Sequence, residues 1–264
     1  MIKVLELFSG TGSVGKCCNQ LGWDVVSVDM ILPADHKCDI MDFDYKQYPK
    51  DYFDIVWASP PCTYYSNLQN CWIGRKKKDG ILVTRELIEE QRKESDKLIK
   101  KTFEIIDYFQ PHWWFMENPA TGQLKYRDIV KNIPYYDVSY CMYSDWGYEK
   151  RTRIWTNKKD FNNKICDKSG ACGNMIGIQH NKVLGNGYEM IDGKKVICNT
   201  KALRQHKRVC DGGYDKRKKH KLNVSIDVHT VGERKGKVNY NNNGTNKLDR
   251  YRIPEELIYS LFID

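Results

Sequence analysis

No apolar run in this 264-residue chain approaches the ~18 residues a membrane-spanning helix needs, so nothing in it reads as an integral membrane protein. The opening Met1-Ile2-Lys3-Val4-Leu5-Glu6-Leu7-Phe8 lacks the apolar core and cleavage site of a secretory leader and reads as a first strand. Cysteine is present ten times, but regular short-loop spacing is missing. The adjacent pair Cys17-Cys18 also suits a reducing compartment better than a disulfide framework. An intracellular protein is the expectation, and the sequons at Asn223 and Asn243 then carry no meaning. Acids are short relative to bases, 34 against 43, for a net charge of +9. Such an excess points to a polyanionic partner where it is concentrated. It is concentrated at 201–221, where nine basic residues stand against Asp211 and Asp215.

The length suits one α/β domain of roughly 150 to 180 residues plus a smaller lobe. From residue 3 to about 157, short β-branched and aromatic runs alternate with helical patterns, as in βαβ units on a parallel sheet. Strands are expected near 3–8, 25–29, 53–58, 112–116, 136–141 and 153–157. The first helix is expected after Gly12, with Gly22 as its stop, and the longest from about Thr84 to Phe109, closed by Pro111. Beyond residue 157 the pattern dissolves into glycine, asparagine, lysine and isolated cysteines. One strand-like alternation remains at 222–231, and no internal repeat is present. The expected division is 1–157 for the main domain, 158–247 for a small lobe and 248–264 for a proline-started helix that closes back on the main domain.

Only eight prolines occur, and two of them, Pro60 and Pro61, are adjacent, directly before Cys62 and after the run Tyr52-Phe53-Asp54-Ile55-Val56-Trp57. Each fixes its own φ and turns the preceding residue away from helix, so the strand ends there. A thiol on a stiff turn at a strand's carboxyl end lies where open α/β sheets bind ligands. Three further patterns belong with it. Phe8-Ser9-Gly10-Thr11-Gly12-Ser13 is a glycine turn opening a helix, which permits close backbone approach to a ligand. The second strand ends in Asp29, where a carboxylate can accept from ribose hydroxyls, and Asp39 follows before the third. The fourth strand ends in Glu117-Asn118-Pro119, and the sixth opens on Arg151-Thr152-Arg153, whose alternation puts both guanidinium groups on one side. A dinucleotide or S-adenosylmethionine suits the glycine turn; the third glycine of the dinucleotide pattern is missing, and hydride chemistry leaves Cys62 unexplained.

In this order, the glycine turn, the strand-end acid, Pro-Cys, Glu-Asn-Pro and the paired arginines resemble the cytosine-5 DNA methyltransferase family, particularly its small phage- and virus-like members. The resemblance covers 2–157 and 250–262. It implies a Rossmann-like S-adenosylmethionine-dependent methyltransferase fold, mostly parallel with helices on both faces, plus a small irregular basic lobe for target recognition. It implies Cys62 as the nucleophile on carbon 6 of a flipped cytosine, Glu117 on the ring's N3 and exocyclic amine, Arg153 on the ring carbonyl and Arg151 in support. For the cofactor it implies Phe8 on the adenine, Asp29 on the ribose and Asp39 near the adenine amine. Gly10, Thr11, Gly12, Met30, Ile40, Pro60 and Tyr251 complete that set. Two positions depart from the family: Glu149 replaces a glutamine and Tyr251 an asparagine.

The implied partner is double-stranded DNA, met by a monomer without a membrane. The base must leave the stack to be reached, and the loop Gly74-Arg75-Lys76-Lys77-Lys78-Asp79-Gly80 is expected to close over phosphates. In the lobe, Cys166, Cys172 and His180 suit zinc with a fourth ligand from Cys198, His206 or Cys210, although the spacing matches no standard finger. Three other readings stand beside this one. An RNA cytosine-5 methyltransferase would share most of the site. An exocyclic-amino methyltransferase would use Ser59-Pro60-Pro61 but needs neither Glu117 nor the arginine pair. A catalytically silent DNA-binding homologue would have no use for Cys62.

Overall fold

The computed structural model describes residues 1–77, 79–176, 179–180, 188–191, 194–197, 227–228, 238–239 and 251–263. The basic run 201–221, and with it Cys198, His206 and Cys210, lies outside the described residues, as does all of the 222–231 alternation except 227–228.

Six strands form one sheet: β1 (Lys3–Leu7), β2 (Asp24–Val28), β3 (Ile55–Ala58), β4 (Trp113–Pro119), β5 (Tyr135–Ser139) and β6 (Arg151–Thr156), in the order β2-β1-β3-β4-β6-β5. The first four run parallel, and β6 enters antiparallel between β4 and β5. All six expected strands form within a few residues. The largest difference is at β4, which runs on through Glu117-Asn118-Pro119 because β6 pairs with it as far as Pro119↔Thr152.

Register assigns the sheet's two faces. Leu5, Leu7, Val56, Ala58 and Met116 share one face, where they pack with Ile99, Ile105, Ile106 and Phe109 of α2 (Arg85–Phe109). That helix starts at Thr84, whose Oγ1 accepts from Leu87 N at 3.1 Å, and stops at Gln110, left-handed at φ 47° just before Pro111. On the other face Trp57 and Phe115 meet Phe262 of α3 (Glu255–Phe262), with ring centroids 6.0 and 5.4 Å apart. Each large side chain so buried contributes about 2–3 kcal/mol. Helix α1 (Ser13–Gln20) packs on α3, so helices cover both faces, as the resemblance implies. Among the described residues no helix is long and apolar enough to cross a membrane.

The chain divides into two compact units, one of 1–139, 151–165 and 253–264, the other of 140–150 and 166–252. The cut expected at 157 therefore differs from the compact units. The segment between β5 and β6 joins the second unit because the buried Asn174 bonds to the backbone of Cys141, Ser144 and Gly147. Within the second unit the described strands are short antiparallel ladders: β7 (Met175–Ile176) with β8 (Gln179–His180), β9 (Tyr188–Ile191) with β10 (Lys194–Ile197), and β11 (Asp227–Val228) with β12 (Val238–Asn239).

Candidate active site

The strand order reverses direction at β1: the chain moves outward to β2, then returns to the far side of β1 as β3. Ligands of open α/β sheets bind at such a switch point, outside the carboxyl ends of the strands. Here those ends carry Phe8–Gly12 and Ser59–Cys62, joined by a hydrogen bond from Ser59 N to Leu7 O at 3.2 Å.

The glycine turn is sharply left-handed, with φ of 55° at Phe8, 53° at Gly10 and 66° at Gly12. Gly10 and Gly12 take that backbone freely, whereas Phe8 is held in it at a cost of order 1–3 kcal/mol. The holding groups are local. Ser9 N donates to Val28 O (3.1 Å), and Gly10 N donates to the Asp29 carboxylate (2.9 Å), which also accepts from Ile31 N and Leu32 N. Three of its roughly four acceptor sites are thus used. Ser9 Oγ is buried with no hydrogen-bond partner among the described residues. Thr11 and Ser13 share a hydroxyl bond, Asp39 caps its own turn through Met41 N, Ile40 is buried and Met30 exposed. Tyr251, exposed, belongs to the second unit.

Glu6 was not foreseen. Its carboxylate, only 3% exposed, accepts from Val14 N and Gly15 N at the start of α1. Burial raises its pKa to about 7, opposed by those two N–H bonds and by Lys16. The signal was an acid between apolar residues in Leu5-Glu6-Leu7, which alternation puts beside Trp57 on the face that meets α1.

The Cys62 turn is fastened at several points. Buried Asn118 donates from Nδ2 to Pro60 O at 2.9 Å. Tyr65 N closes the turn on Cys62 O at 3.1 Å, and Tyr65 O accepts from Gln123 N at 2.7 Å. A Cβ at Gly122 would stand 3.1 Å from Pro119 O and 3.4 Å from Tyr65 O, so the two loops approach this closely only over a glycine. Behind them Tyr65 OH donates to Asp96 of α2, and Asp96 and Glu89 hold Arg127 at 2.5 Å each. Arg127 is therefore pinned as a cation, chiefly by Asp96. Nothing in the sequence marked this network.

The single Asn118 bond brings two of the expected elements together, since Glu117 precedes Asn118 and Cys62 lies two residues past Pro60. Cys62 is partly exposed and Glu117 is 7% exposed. The arginines are arranged differently. In the register Glu117 faces Ile154 while Asn118 faces Arg153, so Glu117 and Arg153 share the sheet's edge but leave it on opposite faces. Arg153 binds Asp137 of β5 through Nε and Nη2 at 2.7 and 2.8 Å and lies 3.5 Å over the Tyr135 ring. Asp137 raises its pKa further, so the guanidinium stays charged. Arg151 is exposed at the start of β6.

The loop after Cys62 folds back at 75–83, where Val83 N donates to Arg75 O at 2.9 Å and Lys77 N to Ile81 O at 2.8 Å. Arg75 stacks over exposed Trp72 at 5.8 Å. Lys78 lies outside the described residues. In the second unit Cys166, Cys172 and His180 come together, with Cys141 as their fourth neighbour.

The chain is 42% identical over 176 residues to a "Probable DNA (cytosine-5)-methyltransferase" of Frog virus 3 (isolate Goorha), a match covering 66% of this chain and 79% of the viral protein. No protein-family model matches the chain. A solved structure described as a "putative DNA modification methyltransferase" encoded within an E. coli prophage matches 72% of this chain and 58% of its own, at 15% identity and a TM-score of 0.43. The Entamoeba histolytica methyltransferase EhMeth matches 63% of this chain and 56% of its own, at 15% identity and a TM-score of 0.41. The chain spans under two thirds of the length of these two structures.

Proposed function

Because the chain belongs to the DNA (cytosine-5)-methyltransferase family, we propose that it methylates carbon 5 of a cytosine flipped out of double-stranded DNA, with Cys62 as the nucleophile. The observation that supports this reading is the Asn118 Nδ2–Pro60 O bond, which ties the turn of the partly exposed Cys62 to the strand end that carries Glu117.

Carbon 5 of cytosine is too weakly nucleophilic to take a methyl group directly. Addition of the Cys62 thiolate at carbon 6 breaks the 5,6 double bond and makes carbon 5 enamine-like. Glu117, on N3 and the exocyclic amine, supplies the proton that lets the ring accept this charge. After methylation, loss of the carbon 5 proton to a base returns the electron pair, reforms the double bond and expels Cys62 as thiolate. The prolines fix the attack direction, a positional advantage of the kind worth several kcal/mol. Arg153, held charged by Asp137, leaves the sheet on the face opposite Glu117, so its contact with the ring carbonyl rests on the family resemblance alone.

The residues of the glycine turn fit S-adenosylmethionine: Ser9 Oγ is a buried hydroxyl in want of a partner, and Asp29 keeps one acceptor site for the ribose. Bound there, it would supply the electrophilic methyl group. Phe8, Gly10, Thr11, Gly12, Met30, Asp39, Ile40 and Pro60, all of the first unit, complete the proposed cofactor set. The basic run 201–221 would add salt-dependent affinity for phosphates.

The test is transfer from labelled S-adenosylmethionine to mixed-sequence duplex DNA, with product nucleosides separated by mass spectrometry. The expected product is 5-methylcytosine, absent with Cys62→Ala. N4-methylcytosine or N6-methyladenine would overturn the mechanism. Product in RNA alone would overturn the substrate, and no product in either would overturn both.

A further inference from the structure

Three thiols and an imidazole converge in the second unit. The Sγ atoms of Cys141, Cys166 and Cys172 and a ring nitrogen of His180 all lie within 4.8 Å of one another. Cys141, Cys166 and His180 are buried, and none of the three cysteines is in a disulfide. His180 Nε2 stands 3.6 Å from Cys166 Sγ and 3.7 Å from Cys172 Sγ. A tetrahedral zinc ion with Zn–S of about 2.3 Å and Zn–N of about 2.05 Å requires S···N edges of about 3.6 Å and S···S edges of about 3.8 Å. Two edges thus match already, and movement of about 1 Å closes the widest pair. Hydrophobic packing would account for the burial of Cys141 and Cys166, but it gives no reason for all three sulfurs to gather around one imidazole nitrogen.

The backbone beneath the cluster is held in advance. Asn174 lies within 2.9 Å of the carbonyls of Cys141, Ser144 and Cys172 through Nδ2 and accepts from Gly147 N through Oδ1 at 2.9 Å. One buried side chain therefore ties together the two loops that bring Cys141 and Cys172. The β7–β8 ladder, with Met175 opposite His180, returns the histidine to them. Fixing ligand backbones by outer hydrogen bonds is how protein metal sites are built.

We propose that Cys141, Cys166, Cys172 and His180 Nε2 bind one zinc ion in a closed, four-ligand structural site. Three soft thiolates and one imidazole select zinc over the harder divalent cations, and four protein ligands leave no open position for catalysis. The fourth ligand is thus Cys141, from the connection between β5 and β6, rather than Cys198, His206 or Cys210. The segment the ion fastens, Tyr140–Lys150, continues directly into Arg151 and β6. The ion would stabilise the second unit.

The experiment uses the full chain purified without chelator, with metal measured by mass spectrometry. The expected result is about one zinc per chain in the wild type and in Cys198→Ser, and less than about a tenth of that in Cys141→Ser. A second readout on the wild type keeps the test decisive even where Cys141→Ser misfolds. Alkylation followed by peptide mapping should find Cys141, Cys166 and Cys172 shielded until zinc is chelated, and cobalt replacement should give the absorption of tetrahedral thiolate coordination. Wild-type protein without zinc that also fails to take up cobalt would overturn the site, as would a disulfide among the three. Zinc lost in Cys198→Ser and kept in Cys141→Ser would overturn the assignment of the fourth ligand.

Discussion

The crevice of the first unit and the cluster of the second each hold cysteine sulfur still, by opposite means. Cys62 is a single thiol on a turn that two prolines stiffen and that Asn118, Gln123 and Tyr65 anchor through backbone carbonyls. No other cysteine is assigned to its site. Cys141, Cys166 and Cys172 are drawn together on one imidazole, with Asn174 as their common anchor. If the two proposed roles hold, the contrast teaches that the company a thiol keeps bears on whether it serves as nucleophile or ligand.

The largest effect expected from breaking this contrast is at Cys62. Cys62→Ala should lower methyl transfer by on the order of 10⁴-fold or more, as loss of a covalent nucleophile does. Unfolding free energy in urea should move by less than about 0.5 kcal/mol, since the side chain is partly exposed at the end of its turn. A comparable loss of stability would show that the residue is structural.

Asn174→Ala should act the opposite way, costing roughly 2–4 kcal/mol by leaving buried carbonyls unpaired. Hydrogen exchange should reveal that cost first at 140–150 and 166–180.

pH separates the two regions next. The pKa of Glu6 is about 7 in the fold against an ordinary 4.5, so the fold binds its proton more tightly than the unfolded chain does. Its contribution is full below pH 4.5 and is lost as pH rises through 7, by up to about 3 kcal/mol. Urea midpoints at pH 5 and pH 7.5 should show this fall in the wild type and a flatter response in Glu6→Gln. A wild-type slope that persists unchanged in Glu6→Gln would remove Glu6 from the account.

The smallest expected effect is that of Asn118→Ala, which removes only the Pro60 anchor: about 1–2 kcal/mol of stability. Turnover should fall roughly tenfold to a hundredfold, with the Michaelis constant for DNA little changed. A rise in that constant at constant turnover would mean that Asn118 supports binding rather than the position of the thiol.

Much of the first unit was legible in the sequence because its signals are local. Strand-period runs, the glycine turn, the Thr84 cap and Pro111 each act within a few residues, and β1 to β6, α1 and α2 follow from them. Glu117 and Cys62 were legible as strand-end residues, but the Asn118–Pro60 bond, spanning 58 residues of sequence, was not. Arg127 meets Asp96 and Glu89 only through packing on α2, so no periodicity marks it. Cys141 was hidden for a similar reason. It lies 25 residues before Cys166 in an aromatic segment that reads as the end of a strand, and only the fold brings it to His180. The opposite facing of Glu117 and Arg153 required the antiparallel register of β6, which residue spacing does not encode.

The paired prolines after β3 also protect the protein against a folding error. A strand's side chains alternate, so a one-residue slip of β3 along β1 would exchange Ile55 and Trp57 with Val56 and Ala58 across the sheet, carrying the thiol to the wrong face. Beyond Ser59, whose N–H is already spent on Leu7, the next two residues have no N–H to donate, so a slipped ladder finds nothing there to zip onto. The dipeptide that aims the Cys62 thiol thus also proofreads the pairing of the strand that carries it.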